Sequence, residues 1–168
     1  MSRQWILMSG WLHSRYFGMA EKIEVVRMRA EHVEAARSLL RRNRLSSEGI
    51  EEPAARFWVA LEDGQVVGVA GLEGSGEDVL LRSVAVAPRL QGRGAGSRLV
   101  RAVLREAREA GARRAYLFST GAGAFWAILG FREVPVPELV AAVGEAPMVR
   151  LYADRGWLDS EVAWVLEL

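Results

Sequence analysis

The densest chemistry in this chain lies in the run Gln91-Gly92-Arg93-Gly94-Ala95-Gly96-Ser97, between an apolar stretch and an amphipathic one. Glycines let a backbone turn sharply and approach a ligand closely. The first amides of a following helix have no intrahelical partner, and the helix dipole favours negative charge there. Such a turn is either an anion site or only a turn. Two nucleotide-binding patterns fail on spacing. A P-loop needs Lys and then Ser or Thr after its last glycine, whereas Ser97-Arg98 follows Gly96. A dinucleotide fingerprint needs G-x-G-x-x-G at the start of a parallel βαβ unit. Here the glycines fall at 92, 94 and 96, after strands that read as an antiparallel meander.

Few other side chains carry reactive potential. Glu73 ends an apolar run, where it is either a proton acceptor reaching a cleft or a surface acid. Arg82 interrupts the apolar run DVLLRSVAVA, and simple alternation puts it on one face with Leu80, Val84 and Val86. A buried guanidinium needs an anion, which would be a structural Glu or a substrate carboxylate. Ser119, Thr120 and Tyr116 are further groups that can pass a proton. Trp58 is either core or a pocket wall. The chain has no cysteine, which excludes disulfides, thiolate catalysis and Cys-ligated metal. His13 and His32 have no second His or carboxylate at metal spacing, so no metal is expected.

The elements that must position these groups follow from periodicity. Lys22–Arg29 reads as a strand, and Ala30–Asn43 as a helix with Val33, Ala36, Leu39 and Leu40 on one side. Leu45–Pro53 is a polar loop, either a substrate lid or a connector. Arg56–Glu62 and Gln65–Glu73 flank Asp63-Gly64, a pair suited to a tight hairpin. Asp78–Ala87 has the apolar run of a central strand. Ser97–Ala110 reads as an amphipathic helix stopped by Gly111, and Arg114–Ser119 as a strand. Gly123–Leu129 is a short helix running into Gly130-Phe131, Pro137–Val143 a helical turn, and Glu161–Glu167 a closing strand. Met148–Trp157 has no clear reading. The order β-α-β-β-β-α-β-α-β implies an α/β (α+β) mixed sheet with helices on its faces.

The 168 residues suit one domain over 22–168, with residues 1–21 as an arm packing on the domain or a partner subunit; alternatively, translation starts at Met19. The first twenty residues contain no acid and end in Gly18-Met19-Ala20, but Arg15 and His13 break the pattern of a signal peptide. Net charge is +1, with Arg mixed among Glu, so no bulk field points to nucleic acid. No apolar run reaches the ~18 residues of a membrane span. The expected setting is cytoplasmic, without a membrane; a homodimer is left open.

Val84-Ala85-Val86-Ala87-Pro88-Arg89-Leu90-Gln91-Gly92-Arg93-Gly94-Ala95-Gly96-Ser97 resembles the acetyl-CoA-binding motif of the GNAT acetyltransferases, with Gln91, Gly94 and Gly96 matching its core. Phe125-Trp126-Ala127-Ile128-Leu129-Gly130-Phe131 resembles the family's aromatic helix ending in Gly-Phe. The resemblance runs from about Ile23 to Leu168 and implies the GNAT fold, with acetyl-CoA as cosubstrate and a primary amine as acceptor. It implies that the backbone of Val84, Ala85 and Val86 holds the pantetheine arm. The amides of Gly92 to Ser97 would hold the pyrophosphate, and Arg93 would either add a charged contact or stay solvated. Phe125 and Trp126 would border the same site. Many relatives protonate the leaving thiolate with a tyrosine where this chain has Trp126, so the usual acid is missing; either Ser119, Thr120 or Tyr116 serves through water, or the thiolate leaves without an acid. Details around Leu80–Val86, Phe118–Gly121 and Phe125-Trp126 look similar to the arsenic-resistance N-acetyltransferase-like and N-acetylglutamate-synthase-like branches. That similarity implies the α-amino group of a small acidic amino acid as acceptor, with Arg82 as its carboxylate partner; Trp58, if not core, would line the substrate pocket. A protein N-terminus or lysine as acceptor, and a degenerate acetyl-CoA sensor, are the alternatives.

Overall fold

A computed structural model describes residues 22–168. The stretch before Lys22, expected as an arm or as the site of an internal start, lies outside the described residues. Among the described residues, seven strands form one sheet: β1 (Ile23–Arg27), β2 (Ala55–Glu62), β3 (Gln65–Glu73), β4 (Asp78–Val86), β5 (Arg114–Phe118), β6 (Arg132–Val134) and β7 (Ala163–Glu167). The helices are α1 (Val33–Arg42), α2 (Ala95–Glu109), α3 (Gly123–Ile128), α4 (Val136–Val143) and α5 (Pro147–Asp154). The spatial order is β1-β2-β3-β4-β5-β7-β6, and only β4 and β5 run parallel.

Local chemistry explains the elements. Asp63 and Gly64 take left-handed φ values of 50° and 77°, as a tight β2–β3 hairpin requires. Pro147 opens α5 at a position where a missing N–H costs nothing. Strand alternation then sorts the core into two sides. Trp58, Leu72, Val79, Leu81, Ala115 and Leu117 pack with α2 and α3. On the opposite side, Phe57, Val59 and Val69 pack with α1, and Leu80, Tyr116, Ala163 and Val165 pack with α4 and α5.

Four features depart from the sequence reading. α2 starts at Ala95, not Ser97, because the last glycine is already helical. β6 was absent from the expected order; three residues are too few to show a period. Pro147–Asp154, in the stretch without a clear reading, is helix α5. The alternation in β4 also breaks. Gly71 pairs with Arg82 but Val69 pairs with Ala85, so β4 carries one extra residue, and Ser83 has a φ of 52°. This β-bulge turns the strand by one position. Arg82 therefore shares a face with Leu80, while Val84 and Val86 point to the α2 side, contrary to the single face expected for all four.

Candidate functional site

The site is built where two neighbouring strands separate. β4 and β5 pair only at Asp78 with Arg114, Val79 with Ala115 and Leu80 with Tyr116. At this closed end, Arg114 donates from Nε and Nη2 to the Asp78 carboxylate at 2.7 and 2.9 Å. Past Leu80 the strands part. On one edge of β4, Ala85 and Val86 stay paired to β3; no strand pairs with the other edge from Leu81 to Val86 among the described residues. Gln91 donates to the carbonyls of Val86 and of the Asn43 side chain, at 3.2 and 3.1 Å, and so ties the loop after β4 to the end of α1.

That unpaired edge runs into the glycine loop. Gly92 and Gly94 have φ values of 71° and 84°, and a Cβ on either would meet nothing within 4 Å. The loop thus needs glycine for its backbone and leaves open space above it. The first helical bond of α2 is from Arg98 N–H to the Gly94 carbonyl, at 3.0 Å, so the amides of Ala95, Gly96 and Ser97 have no partner within the helix. A Cβ on Gly96 would touch the Phe125 ring at 3.4 Å, so glycine lets α2 approach α3 here.

Edge, loop and helix end enclose one cavity of 460 Å³. Val84, Ala85 and Val86 line it from β4, and Gln91, Gly92, Gly94, Gly96 and Ser97 from the loop and α2. Phe125 closes it from α3. Ala95 is buried beside it, with its methyl in the core. Arg93 is exposed and does not line the cavity. Sequence reasoning missed three lining residues: Asn43, Ala122 and Ile128. Asn43 gave no signal, being a polar residue at a helix end. Ile128 did give one, because a 79% exposed isoleucine on a short helix is a large apolar side chain without a core to join.

Trp126 is not at the cavity, contrary to its expected place among the acetyl-CoA contacts. It is 6% exposed and packs edge-on against Phe125 and Phe131, with ring centroids at 4.8 and 5.4 Å. Its indole N–H is buried without a partner. Trp58 is likewise core, 1% exposed on the α2 side, and does not line this cavity.

Glu73 and Arg82, read separately as proton acceptor and substrate anchor, are partners. Arg82 donates from Nη1 to Glu73 Oε1 at 2.6 Å, from Nη2 to the Glu48 carbonyl at 2.6 Å, and from Nε to Ser83 Oγ at 3.1 Å. The other Glu73 oxygen accepts from the Met148 N–H at the start of α5, at 2.9 Å. Glu73 is wholly buried and Arg82 nearly so. To take a proton from an amine, Glu73 would have to give up partners and burial together. Arg82 has its anion already, which is the structural Glu of the two alternatives.

The other proton-passing candidates separate. Tyr116 is sealed under α4, its phenol pushed up by burial, and does not reach the opening. Ser119 and Thr120 continue β5 to the open end of the splay. The Ser119 N–H donates to the Val162 carbonyl at 2.9 Å, and its own carbonyl accepts from Trp164 Nε1 at 3.0 Å.

The loop over 45–53 covers the Arg82 side. Ser83 Oγ donates to the Ser46 carbonyl at 3.2 Å. Arg155, just past α5, donates to both Glu48 oxygens at 2.9 and 3.1 Å, which holds the Glu48 carboxyl below its ordinary range. Among the described residues, no helix is long and apolar enough to cross a membrane, and no three or more His, Asp or Glu side chains group as metal ligands.

The sequence profile of the acetyltransferase (GNAT) family matches residues 17–131. No curated protein matches the chain. Among solved structures, the fold is similar to N-acetylglutamate synthase from Neisseria gonorrhoeae complexed with coenzyme A and N-acetyl-glutamate, at 22% identity and a TM-score of 0.73. That match covers 87% of this chain but 35% of the synthase, so the chain spans about a third of that protein. A Mycobacterium tuberculosis protein solved with CoA is 24% identical at a TM-score of 0.68, over 86% of this chain and 99% of the other. The ribosomal-protein-S18-alanine N-acetyltransferase from Escherichia coli is 20% identical at a TM-score of 0.60, over 67% and 79% of the two chains.

Proposed function

The chain belongs to the acetyltransferase (GNAT) family, and from that premise we propose that it moves acetyl from acetyl-CoA to a small primary amine by direct attack. One observation carries this reading: the unpaired edge of β4 runs directly into the glycine loop and the start of α2, within one cavity.

Each part has a use. The free edge at Val84 to Val86 offers backbone groups to the amide-bearing pantetheine arm, as a further strand would. The amides of Ala95, Gly96 and Ser97 face the pyrophosphate with the favourable end of the α2 dipole. Phe125 and the Val86 side chain wall the apolar middle of the cavity. A β4 amide at the bulge polarises the thioester carbonyl. The amine attacks in its neutral form, the C–N bond forms, the C–S bond breaks, and the thiolate departs. Ser119 and Thr120, at the open end of the splay, stand where a proton leaves the nitrogen through water. The core position of Trp126 means that α3 supplies no acid to the thiolate.

The acceptor side does not favour an acidic amine, because the Arg82 charge is balanced by Glu73. Acetyl-CoA consumption over a panel of amino acids, amines and peptides tests the reading, with CoA binding followed by calorimetry. Turnover with free amines supports it. Turnover with peptides alone assigns a protein acceptor, and tight CoA binding without turnover assigns a sensor.

A further inference from the structure

Taking the acetyl-transfer reading as its basis, we propose that Glu161 and the Phe118–Tyr152 stack form the seat for a dicationic acceptor: Glu161 holds one charged nitrogen while the other is acetylated at β4. Glu161 precedes Ala163 by two residues in extended backbone, so it shares the face of Ala163 and Val165. The bond from Ser119 N–H to the Val162 carbonyl continues the β5–β7 ladder and puts Glu161 at the open end of the splay. Its side chain is half-buried and makes no hydrogen bond or ion pair among the described residues. A desolvated carboxylate without a cation is costly unless a ligand supplies one. Burial alone pushes its carboxyl above the ordinary range.

The surroundings suit a cation. The Tyr152 ring stacks on Phe118 with centroids 5.5 Å apart and 18° between planes, and Trp157 meets it edge-on at 5.6 Å. Aromatic faces attract ammonium groups. The Tyr152 phenol is raised first by burial and next by the Glu161 charge, and it also feels Arg82, Glu48 and Glu73, so the ring is near all four groups. The charge balance decides the sign. Arg82 is spent on Glu73 and Arg155 on Glu48, leaving the Glu161 carboxylate as the unbalanced charge among these groups.

Spacing decides which nitrogen it holds. Glu161 lies two residues before β7 and the thioester of the proposed reaction would lie along β4, with β5 between them. Two strand spacings come to about 9–10 Å, and the splay widens that. Glu161 therefore reaches a second cation rather than the attacking amine.

Three acceptors of matched length test this: cadaverine, pentylamine and δ-aminovalerate, whose far ends are positive, neutral and negative. Cadaverine should exceed pentylamine in kcat/KM by about tenfold, with δ-aminovalerate last. In Glu161→Gln, the KM for cadaverine should rise about tenfold while that for pentylamine holds, and an unchanged melting curve should show that the fold is intact. Preference for δ-aminovalerate, or an unchanged cadaverine KM in the variant, overturns the proposal. If no amine is acetylated, the transfer reading fails on its own, and calorimetry of cadaverine with the CoA-loaded protein decides this one. Binding lost in Glu161→Gln upholds the seat; equal binding, or none to the wild type, overturns it.

Discussion

Arg82 Nη1 and Glu73 Oε1 stand 2.6 Å apart inside the sheet, both shielded from water. The pair joins β3 and β4 to the start of α5 through the Met148 N–H, and to the 45–53 loop through the Glu48 carbonyl. Removing one member leaves the other charge buried and uncompensated, which costs about 3–5 kcal/mol. Glu73→Gln should therefore lose about that much in urea denaturation. The double change Glu73→Met with Arg82→Met should recover much of it, because no charge is left stranded. A Glu73→Gln protein of native stability but without turnover would instead mark Glu73 as the proton acceptor.

The loop makes a second demand. Gly94 holds a left-handed φ of 84° as the residue that caps α2. A side chain there costs roughly 1–2 kcal/mol in that conformation. Gly94→Val should either carry that strain or relax the loop and turn the α2 amides off line. The CoA Kd should rise about tenfold, measured by calorimetry, while the melting temperature moves by only a few degrees.

These two sites differ in how far the sequence revealed them. The glycine loop was legible because its spacing excludes two nucleotide loops and its residues match a family motif; Gly92, Gly94, Gly96 and Ser97 line the cavity, whereas Arg93 and Ala95 do not. The Glu73–Arg82 pairing was not. Its partners lie nine residues apart on neighbouring strands, and no local pattern sets that register. The β4 bulge was hidden for the same reason: an extra residue in a strand changes pairing without changing composition. Trp126 was misplaced because a motif position gives the helix but not the direction of a side chain.

Because Trp126 packs into the core, changing it should be felt in stability more than in catalysis. Trp126→Phe removes volume beside Phe125 and Phe131, but also removes an indole N–H buried without a partner. The two effects oppose, so the net loss should stay near 1 kcal/mol. The kcat should change less than about twofold. Phe125→Ala, at the cavity itself, should raise the KM for acetyl-CoA about tenfold.

The Arg155–Glu48 pair acts on a loop rather than on the whole fold. It is exposed on both sides, so salt screens it and its share of global stability is small. Yet it is the contact that ties the 45–53 loop to the end of α5. Arg155→Ala should speed amide exchange across residues 45–53, with β3 and β4 unchanged and the melting temperature within about 2 °C of wild type.

Glu161 should leave a mark on stability that runs opposite to that of most carboxylates. Burial raises its folded-state carboxyl above the ordinary range. The folded chain therefore keeps the proton to higher pH than the unfolded chain does. The contribution to stability is full below the unfolded value and is lost as pH rises through the folded one. Glutamine does not titrate and carries no such loss. Wild type and Glu161→Gln should melt together near the acid end of the carboxylate range, and the variant should be the more stable at neutral pH. The gap should be no more than about 2 °C, since a half-exposed site is partly screened. Cadaverine should close that gap at neutral pH by restoring a counter-charge to the wild type alone, and pentylamine should leave it open. Melting curves at both pH values with each amine read the charge of the seat without any turnover.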